Sequence, residues 1–367
     1  MLSSRLCLLY IAIGYCHGFT SNSDYRLSAS RAVQSKWILR RGQDASRTLS
    51  RTSISASSES VATNLEQVGW TTTGYRRPLH WVQKVSHLED TLAFYEKNFD
   101  FGVYRHEEFS SGCEATCNGP YGGAWSKTMV GPEPGEGESF CLELVYNYGV
   151  NKYERGNDLR SIDIDFSSFC GSTSLIGEDP KGRKFIETPD GHWLHLVEDR
   201  AKNDAGVTDV RSCISAVQIH VSDLASSARF YEDVFGANVE MNSDGTATCN
   251  WNTPTTTVTS KEHSQTSVVL VQLAEGSSLD FLASQGRFAI ETEDGAQEEI
   301  AVRAKSAQES GAGRIVHGPV ALEPHGENVL ILRDLDGHEY CFVDARGFQR
   351  CIDVNKKQVC DEYHSSS

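Results

Sequence analysis

The chain has 367 residues, of which 39% are hydrophobic and 23% are charged, and its formal net charge at pH 7 is -16. This length is enough for two domains of ordinary size. The acidic surplus repels phosphate groups, which argues against nucleic acid and anionic membrane surfaces as partners. The longest apolar stretch, residues 6–14, is too short to cross a bilayer.

The N-terminal residues differ in composition from the rest of the chain. Residues 1–60 carry eight Lys and Arg against three Asp and Glu. The apolar run near the start is typical of a signal peptide over residues 1–18, with small residues placed for cleavage before Phe19. Residues 19–60 are rich in Ser and basic residues, which is typical of a disordered transit peptide. This order resembles the bipartite leaders of algal plastid proteins and predicts a plastid location, with mitochondrial import or secretion as alternatives.

The rest of the chain contains an internal repeat. Residues 85–99 and 221–235 share a short strand, a Ser and an amphipathic helix, at an offset of 136 residues. Residues 189–196 and 335–342 share an Asp-Gly-His turn that leads into a strand, at an offset of 146 residues. Two offsets of similar size indicate a duplication with a period of about 140 residues, which is too long for a solenoid.

The duplication predicts two similar α+β domains, over residues 76–200 and 212–345, followed by a C-terminal tail over 346–367. Helices are expected at 88–99, 224–235 and 297–310, and a Ser is available to cap each of the first two. The predicted strands lie near 79–85, 103–109, 125–130, 140–147, 161–166, 193–198, 215–221, 237–241, 247–251, 267–273, 287–292, 329–333 and 339–343.

Strand alternation separates polar from apolar side chains in the predicted first domain. Along the strand near 140–147, Leu142 and Leu144 share one face, whereas Glu143 and Asn147 share the other. A carboxylate opposite a packed face points into a cleft or into water. By the same alternation, His80 shares a strand face with Lys84. His195 shares a strand face with Trp193 and Val197.

The sequence over residues 105–130 and 142–158 closely resembles the glyoxalase domain-containing protein 4 family, which belongs by fold to the glyoxalase I group of the vicinal-oxygen-chelate superfamily. The resemblance covers roughly residues 76–345. It implies tandem βαβββ modules that curl in pairs into half-barrels. In glyoxalase I, one side chain from each of four strands holds Zn or Ni. The metal binds the oxygens of a hemithioacetal enediolate, and a ligand carboxylate moves the proton.

The resemblance assigns metal positions to residues of this chain. His80 falls at the first position and Glu143 at the second. The third falls near Ser161, where Asp163 could substitute, and His195 stands where the catalytic Glu usually lies. Two His and one Glu are a reasonable ligand set for Zn or Ni. We therefore expect His80, Glu143 and His195 to converge in the first domain, with Glu143 and His195 as the catalytic groups.

The same resemblance implies a substrate site and an activity. Lys84 and Asn147 match positions that hold the glutamyl group of glutathione, and Arg160 is a further candidate for substrate binding. The implied function is a metal-dependent isomerase or lyase that acts on a small carbonyl or glutathione-adduct substrate. The alternative is a degenerate scaffold that binds a small ligand or a protein partner without turnover, because His195 replaces the usual carboxylate base.

The predicted second domain lacks a comparable set of donors. Its corresponding positions fall at Ala216, near Leu270, near Phe288 and at Cys341, which together do not form a hard-metal site. Gln218, His220 and Gln272 could line a small polar cleft, and the alternative is that they are buried side chains with satisfied hydrogen bonds. We therefore expect the functional site in the first domain only.

Overall fold

The computed structural model describes residues 70–71, 75–112, 121–133, 135–198, 213–251, 266–322 and 326–354. The predicted signal peptide and transit segment lie outside the described residues, so they stay predictions. Within the described ranges, no helix is both long and apolar enough to cross a membrane.

The described chain contains four successive groups of four strands, which we call modules 1 to 4. Module 1 contains β1 (Arg76–Lys84), β2 (Gly102–Phe109), β3 (Trp125–Gly131) and β4 (Cys141–Asn147). Module 2 contains β5 (Leu159–Asp165), β6 (Gly177–Glu178), β7 (Lys184–Glu187) and β8 (Trp193–Val197). Module 3 contains β9 (Ile214–Val221), β10 (Asn238–Met241), β11 (Thr246–Asn250) and β12 (Ser267–Gln272). Module 4 contains β13 (Arg287–Thr292), β14 (Arg314–Leu322), β15 (Glu327–Arg333) and β16 (Glu339–Asp344).

A helix follows the first strand in three of these modules. These helices are α1 (Leu88–Phe99), α2 (Leu224–Asp233) and α3 (Ala296–Glu309). In module 2, two short 3₁₀ segments, Phe166–Ser168 and Thr173–Leu175, take the place of the helix. The predicted helices are therefore confirmed, and α1 and α2 occupy matching positions in their modules.

The strands form two eight-stranded mixed sheets that pair the modules in an unexpected way. Sheet A joins modules 1 and 4 in the order β14-β15-β16-β13-β1-β4-β3-β2. Sheet B joins modules 2 and 3 in the order β10-β11-β12-β9-β5-β8-β7-β6. The joining contacts are antiparallel, between β1 and β13 in sheet A and between β5 and β9 in sheet B. Each sheet thus takes strands from both halves of the duplication.

One hydrophobic cluster holds the two sheets and the three helices together. It contains Leu142 and Leu144 from sheet A, Ile162 and Leu270 from sheet B, and the buried stripe of α1. Burying such aliphatic side chains contributes about 1.5–3 kcal/mol each. We call the sheet face that points away from this cluster the cleft face. The predicted alternation is confirmed, because Glu143 stands between two core residues and therefore belongs to the cleft face.

The repeated Ser and Asp-Gly-His motifs contact each other across the two sheets. Asp190 accepts hydrogen bonds from the backbone N–H and the hydroxyl of Ser86 at the end of β1. Asp336 likewise accepts from the backbone N–H of Ser222 at the end of β9. The prediction that these serines cap helices is therefore wrong: the side chain of Asp223 caps α2, and α1 has no side-chain cap.

Some elements were not predicted. The strands β6, β7 and β14 are short or lie at an edge, where exposure removes the apolar signal. The beginning of the predicted C-terminal tail is helical over 345–354, which we call α4. The remainder of that tail, 355–367, lies outside the described residues.

Candidate functional site

His80 and Glu143 meet on the cleft face of sheet A, as the sequence predicted. Their strands are parallel neighbours, and His80 Nε2 lies 3.2 Å from Glu143 Oε2. Both side chains are buried. Burial alone would raise the pKa of Glu143, but the hydrogen bond from His80 and the charges of His80, Lys127 and Arg287 lower it well below its ordinary value. Glu143 is therefore a carboxylate near neutral pH.

The other two strands at the centre of sheet A supply poor metal ligands. Ala289 on β13 is the register partner of His80, and Cys341 on β16 is the register partner of Ala289. The sequence had placed the module 4 position near Phe288, but Phe288 belongs to the hydrophobic core. Ala289 offers no donor atom, and burial raises the pKa of Cys341 to about 11, which disfavours the thiolate that metals bind.

His195 does not join His80 and Glu143. It lies on β8 of sheet B, beside Asp163 on the parallel strand β5, with 3.6 Å between His195 Nδ1 and Asp163 Oδ1. The prediction that His80, Glu143 and His195 converge is therefore wrong. It assumed that modules 1 and 2 share a half-barrel, whereas module 1 pairs with module 4.

A polar group surrounds His195 on the cleft face of sheet B. Asp163 accepts hydrogen bonds from Gln218 Nε2 at 2.6 Å and from Ser161 Oγ at 3.2 Å. On the other side of the ring, Asp179 Oδ2 lies 3.9 Å from His195 Nε2. The imidazole of His195 is 1% exposed, and within the described part of the chain neither ring nitrogen has a hydrogen-bond partner.

Aromatic and basic side chains lie around this group. Phe185 and Trp193 stack with their ring centroids 4.6 Å apart, and both are partly exposed. Arg160 donates to Gln218 Oε1 at 2.9 Å, and Arg183 pairs with Asp179. Burial lowers the pKa of Arg160, and the like charge of Arg183 adds to this shift.

The three predicted substrate-binding residues have different environments. Lys84 is buried and donates to the carbonyl of Ala283, and the side chain of Asn147 donates to the hydroxyl of Tyr153 at 2.9 Å. Both therefore have structural roles in the chain. Arg160, in contrast, lies on sheet B with the polar group around His195, so it stays a candidate for ligand binding.

Several residues of the sheet B group were not assigned a role from the sequence. Asp179 begins the turn between β6 and β7 and accepts from the backbone N–H groups of Lys181 and Arg183. The Asp-Pro-Lys-Gly sequence at 179–182 is a turn signal that could have located this loop. Phe185 could not have been assigned to the cleft face because β7 itself was not predicted.

Neither sheet fits the four-ligand metal centre of glyoxalase I. Sheet A offers His80 and Glu143 from module 1, and sheet B offers Asp163 and His195 from module 2. Modules 3 and 4 add no His or carboxylate at the matching positions. Among the residues that the structure describes, no group of three or more His, Cys, Asp or Glu side chains is placed to hold one metal ion.

Comparisons with known proteins identify the family. The family model "Glyoxalase domain-containing protein 4-like, C-terminal domain" matches residues 223–351. The chain is 34% identical to "Glyoxalase 1" of Caenorhabditis briggsae over 278 residues, which cover 74% of this chain and 90% of that protein. It is 30% identical to "Glyoxalase domain-containing protein 4" of Mus musculus, over 77% of this chain and 90% of that one.

Solved structures agree on the fold. Glyoxalase I from Zea mays superposes with a TM-score of 0.58 and 20% sequence identity, over 77% of this chain and 96% of that chain. The matched 77% of this chain is more than either sheet contains, so the likeness extends to both sheets. The chain therefore belongs to the glyoxalase domain-containing protein 4 family and has the tandem βαβββ fold of glyoxalase I.

Proposed function

We propose that this chain is a glyoxalase-type protein that binds a small carbonyl compound or its thiol adduct on the cleft face of sheet B. The observation that carries the proposal is the buried imidazole of His195, whose ring nitrogens lack hydrogen-bond partners among the described residues. A buried polar group without a partner costs about 1–3 kcal/mol. A ligand that hydrogen-bonds to His195 recovers this cost, which favours binding there.

The surroundings of His195 support the same class of ligand. The partly exposed rings of Phe185 and Trp193 offer an apolar surface for the body of the ligand. Arg160 offers a positive charge for a carboxylate or a developing oxyanion. An apolar surface beside a few convergent polar groups is typical of the lining of small-molecule sites.

The position of His195 also supports proton transfer. Asp163 and Asp179 lie on opposite sides of its ring, at 3.6 and 3.9 Å from the two nitrogens. The two carboxylates flank the ring, and the imidazole of a histidine can both accept and donate a proton. His195 therefore supports the role of an acid and base that moves a proton between neighbouring atoms of a bound carbonyl compound.

A metal-dependent lyase at His80 and Glu143 is the second candidate. The separation of 3.2 Å between His80 Nε2 and Glu143 Oε2 is compatible with two ligands of one ion, since Zn–N and Zn–O bonds are about 2.0–2.2 Å. Against this candidate, Ala289 adds no ligand, and the cations Lys127 and Arg287 lie near Glu143.

The same substitution in the two sheets distinguishes the candidates. Binding of an S-alkyl glutathione is measured by calorimetry for His195→Gln and for His80→Gln. We expect His195→Gln to weaken binding by about tenfold or more, and His80→Gln to leave it unchanged. Turnover of the hemithioacetal of glutathione and a 2-oxoaldehyde is measured in parallel. Loss of binding in His80→Gln alone, or about one Zn or Ni per chain that disappears in Glu143→Ala, would establish the second candidate instead.

A further inference from the structure

The helix α4 covers part of the cleft face of sheet A. Its side chains Phe348 and Ile352 join a small hydrophobic cluster whose other buried members come from the strands β1, β13, β15 and β16. These members are Leu79, Ala289, Val329, Ile331, Cys341 and Val343. Ala289 and Cys341 occupy the two central strands beside His80, so α4 packs directly next to the His80–Glu143 pair.

Other contacts show that α4 lies across the sheet. The guanidinium of Arg77 lies 5.7 Å from the ring centre of Phe348. A methyl group built on Gly137, in the segment between β3 and β4, would stand 3.6 Å from Ile352 Cδ1. The thiol of Cys351 lies within electrostatic range of Arg105 on β2 and Lys127 on β3. The helix thus extends from the module 4 strands toward the module 1 strands.

The cluster under α4 is separate from the main core. Among the described residues, no side chain of α4 belongs to the large cluster that joins both sheets with α1, α2 and α3. Its two large buried side chains are Phe348 and Ile352. Segments with few apolar contacts open locally at a lower free energy than the global fold. The main core can therefore stay closed while α4 leaves.

We propose that α4 is a displaceable helix that shuts the cleft face of sheet A, so that Cys341 and the adjacent His80–Glu143 pair become accessible only when α4 leaves. This regulatory contact concerns sheet A and is independent of ligand binding on sheet B. The cleft faces of the two sheets therefore differ, because a helix of the same chain covers that of sheet A.

Substitution of Gly347 in α4 is expected to displace the helix from the sheet. A Cβ atom built on Gly347 would lie 2.5 Å from the Cα of Glu327 on β15, a distance that real Cβ atoms do not adopt. Gly347→Ala therefore pushes α4 away from the sheet, although Ala is the better helix former. The matched control is Gly102→Ala at the start of β2, where an added Cβ would meet no atom within 4 Å.

Alkylation of Cys341 reports whether α4 is in place. Burial raises the pKa of this thiol to about 11, so it reacts slowly at pH 8 while α4 covers it. Cys249 is fully buried in the main core and serves as the internal reference for global unfolding. The modified residues are identified by mass spectrometry after pulses of iodoacetamide on the native, folded chain.

We expect Gly347→Ala to accelerate alkylation of Cys341 by about tenfold or more, with Cys249 still protected and Gly102→Ala unchanged. A chain that ends at Asp344 should show the same pattern, since it lacks α4 altogether. Two results would overturn the proposal. One is an unchanged rate at Cys341 in both Gly347→Ala and the shortened chain. The other is an equal acceleration at Cys341 and Cys249, which would make α4 part of the global fold.

Discussion

Sheets A and B have the same fold but present different cleft faces. In sheet A, every residue of β1 and β16 is buried, and α4 packs on the cleft face. In sheet B, the cleft-face residues Val269 and Val271 on β12 are partly exposed. Within the described residues, no helix covers that face. The fold alone therefore does not determine what covers a cleft face, because within the described residues the helix over 345–354 packs on the cleft face of sheet A and on no other.

The two sheets also share one asymmetry between their modules. Each keeps a His and a carboxylate from a single module, His80 with Glu143 in sheet A and Asp163 with His195 in sheet B. At the register-partner position the other module contributes alanine in each case, Ala289 beside His80 in sheet A and Ala216 beside Asp163 in sheet B. The fold is compatible with this arrangement because strand pairing depends on the backbone and on the core face, and not on the side chains of the cleft face.

The largest expected difference between the sheets is in the free energy of unfolding that is lost when one carboxylate is neutralised. Glu143→Gln leaves the buried imidazole of His80 without its carboxylate partner and removes the negative charge beside the half-buried Lys127 and Arg287, so we expect a loss of about 3 kcal/mol in the free energy of unfolding. Asp163→Asn keeps an oxygen that accepts from Gln218, so we expect about 1 kcal/mol. Urea denaturation measures both values.

Equal losses in these two variants would contradict the contrast between the sheets. The slope of the unfolding free energy against urea serves as the control. It must stay the same in wild type and both variants for the difference to reflect the folded state.

The next effect concerns acid stability and the two Asp-Gly-His turns. Burial, with the charge of Arg155, lowers the pKa of His192 to about 3, whereas His338 Nε2 donates a hydrogen bond to the backbone carbonyl of His220 at 2.8 Å. A folded-state pKa below the unfolded value means that the unfolded chain binds the extra proton first. Stability is therefore lost as the pH falls from about 6.5 toward 3.

We expect His192→Gln to remove roughly 2–3 kcal/mol of the decrease in unfolding free energy between pH 7 and pH 4.5. His338→Gln is the matched control in the other turn and should keep the decrease, because His192 is still present. Urea titrations at both pH values measure the effect. The same pH dependence in wild type and His192→Gln would show that the buried imidazole of His192 does not titrate in this way.

The smallest expected effect concerns the hydrogen bonds between the sheets. Asp190→Ala removes two part-buried bonds to Ser86 and should cost about 1–2 kcal/mol. Asp336→Ala removes an exposed bond from Ser222 and a long bond of 3.4 Å from Ser227 Oγ, and should cost about 1 kcal/mol or less. Thermal unfolding ranks the two variants, and a larger loss for Asp336→Ala would reverse the order that burial predicts.

Local features of this chain were predictable from its sequence, whereas the partnership of its modules was not. The alternation around Glu143 placed it correctly opposite the core, because a period of two residues is set by each strand alone. All four modules carry similar strand patterns, so nothing local states whether β1 pairs with β5 or with β13. The predicted site therefore combined His80 and Glu143 with a residue of the wrong sheet.

The sequence of the helix α4 carries a weaker signal for secondary structure than the strands do. Phe348, Cys351 and Ile352 have the three- and four-residue spacing of one helix face, but a single turn of such spacing is common in unstructured tails. Only the apolar cleft face of module 4 gives this stripe something to pack against. The sequence therefore predicts the local elements, whereas contacts between elements that are distant in the chain were not predictable from it.

The pairing of module 1 with module 4 affects the order in which the chain can fold during synthesis. Sheet B consists of strands between residues 159 and 272, so its pairing partners emerge from the ribosome one after the other. β1 must wait for β13, which follows it by about 200 residues, before sheet A can close. Until then β1 is an unpaired edge, the kind of strand that associates with other chains. The last module made is thus the one that removes the exposed edge of the first.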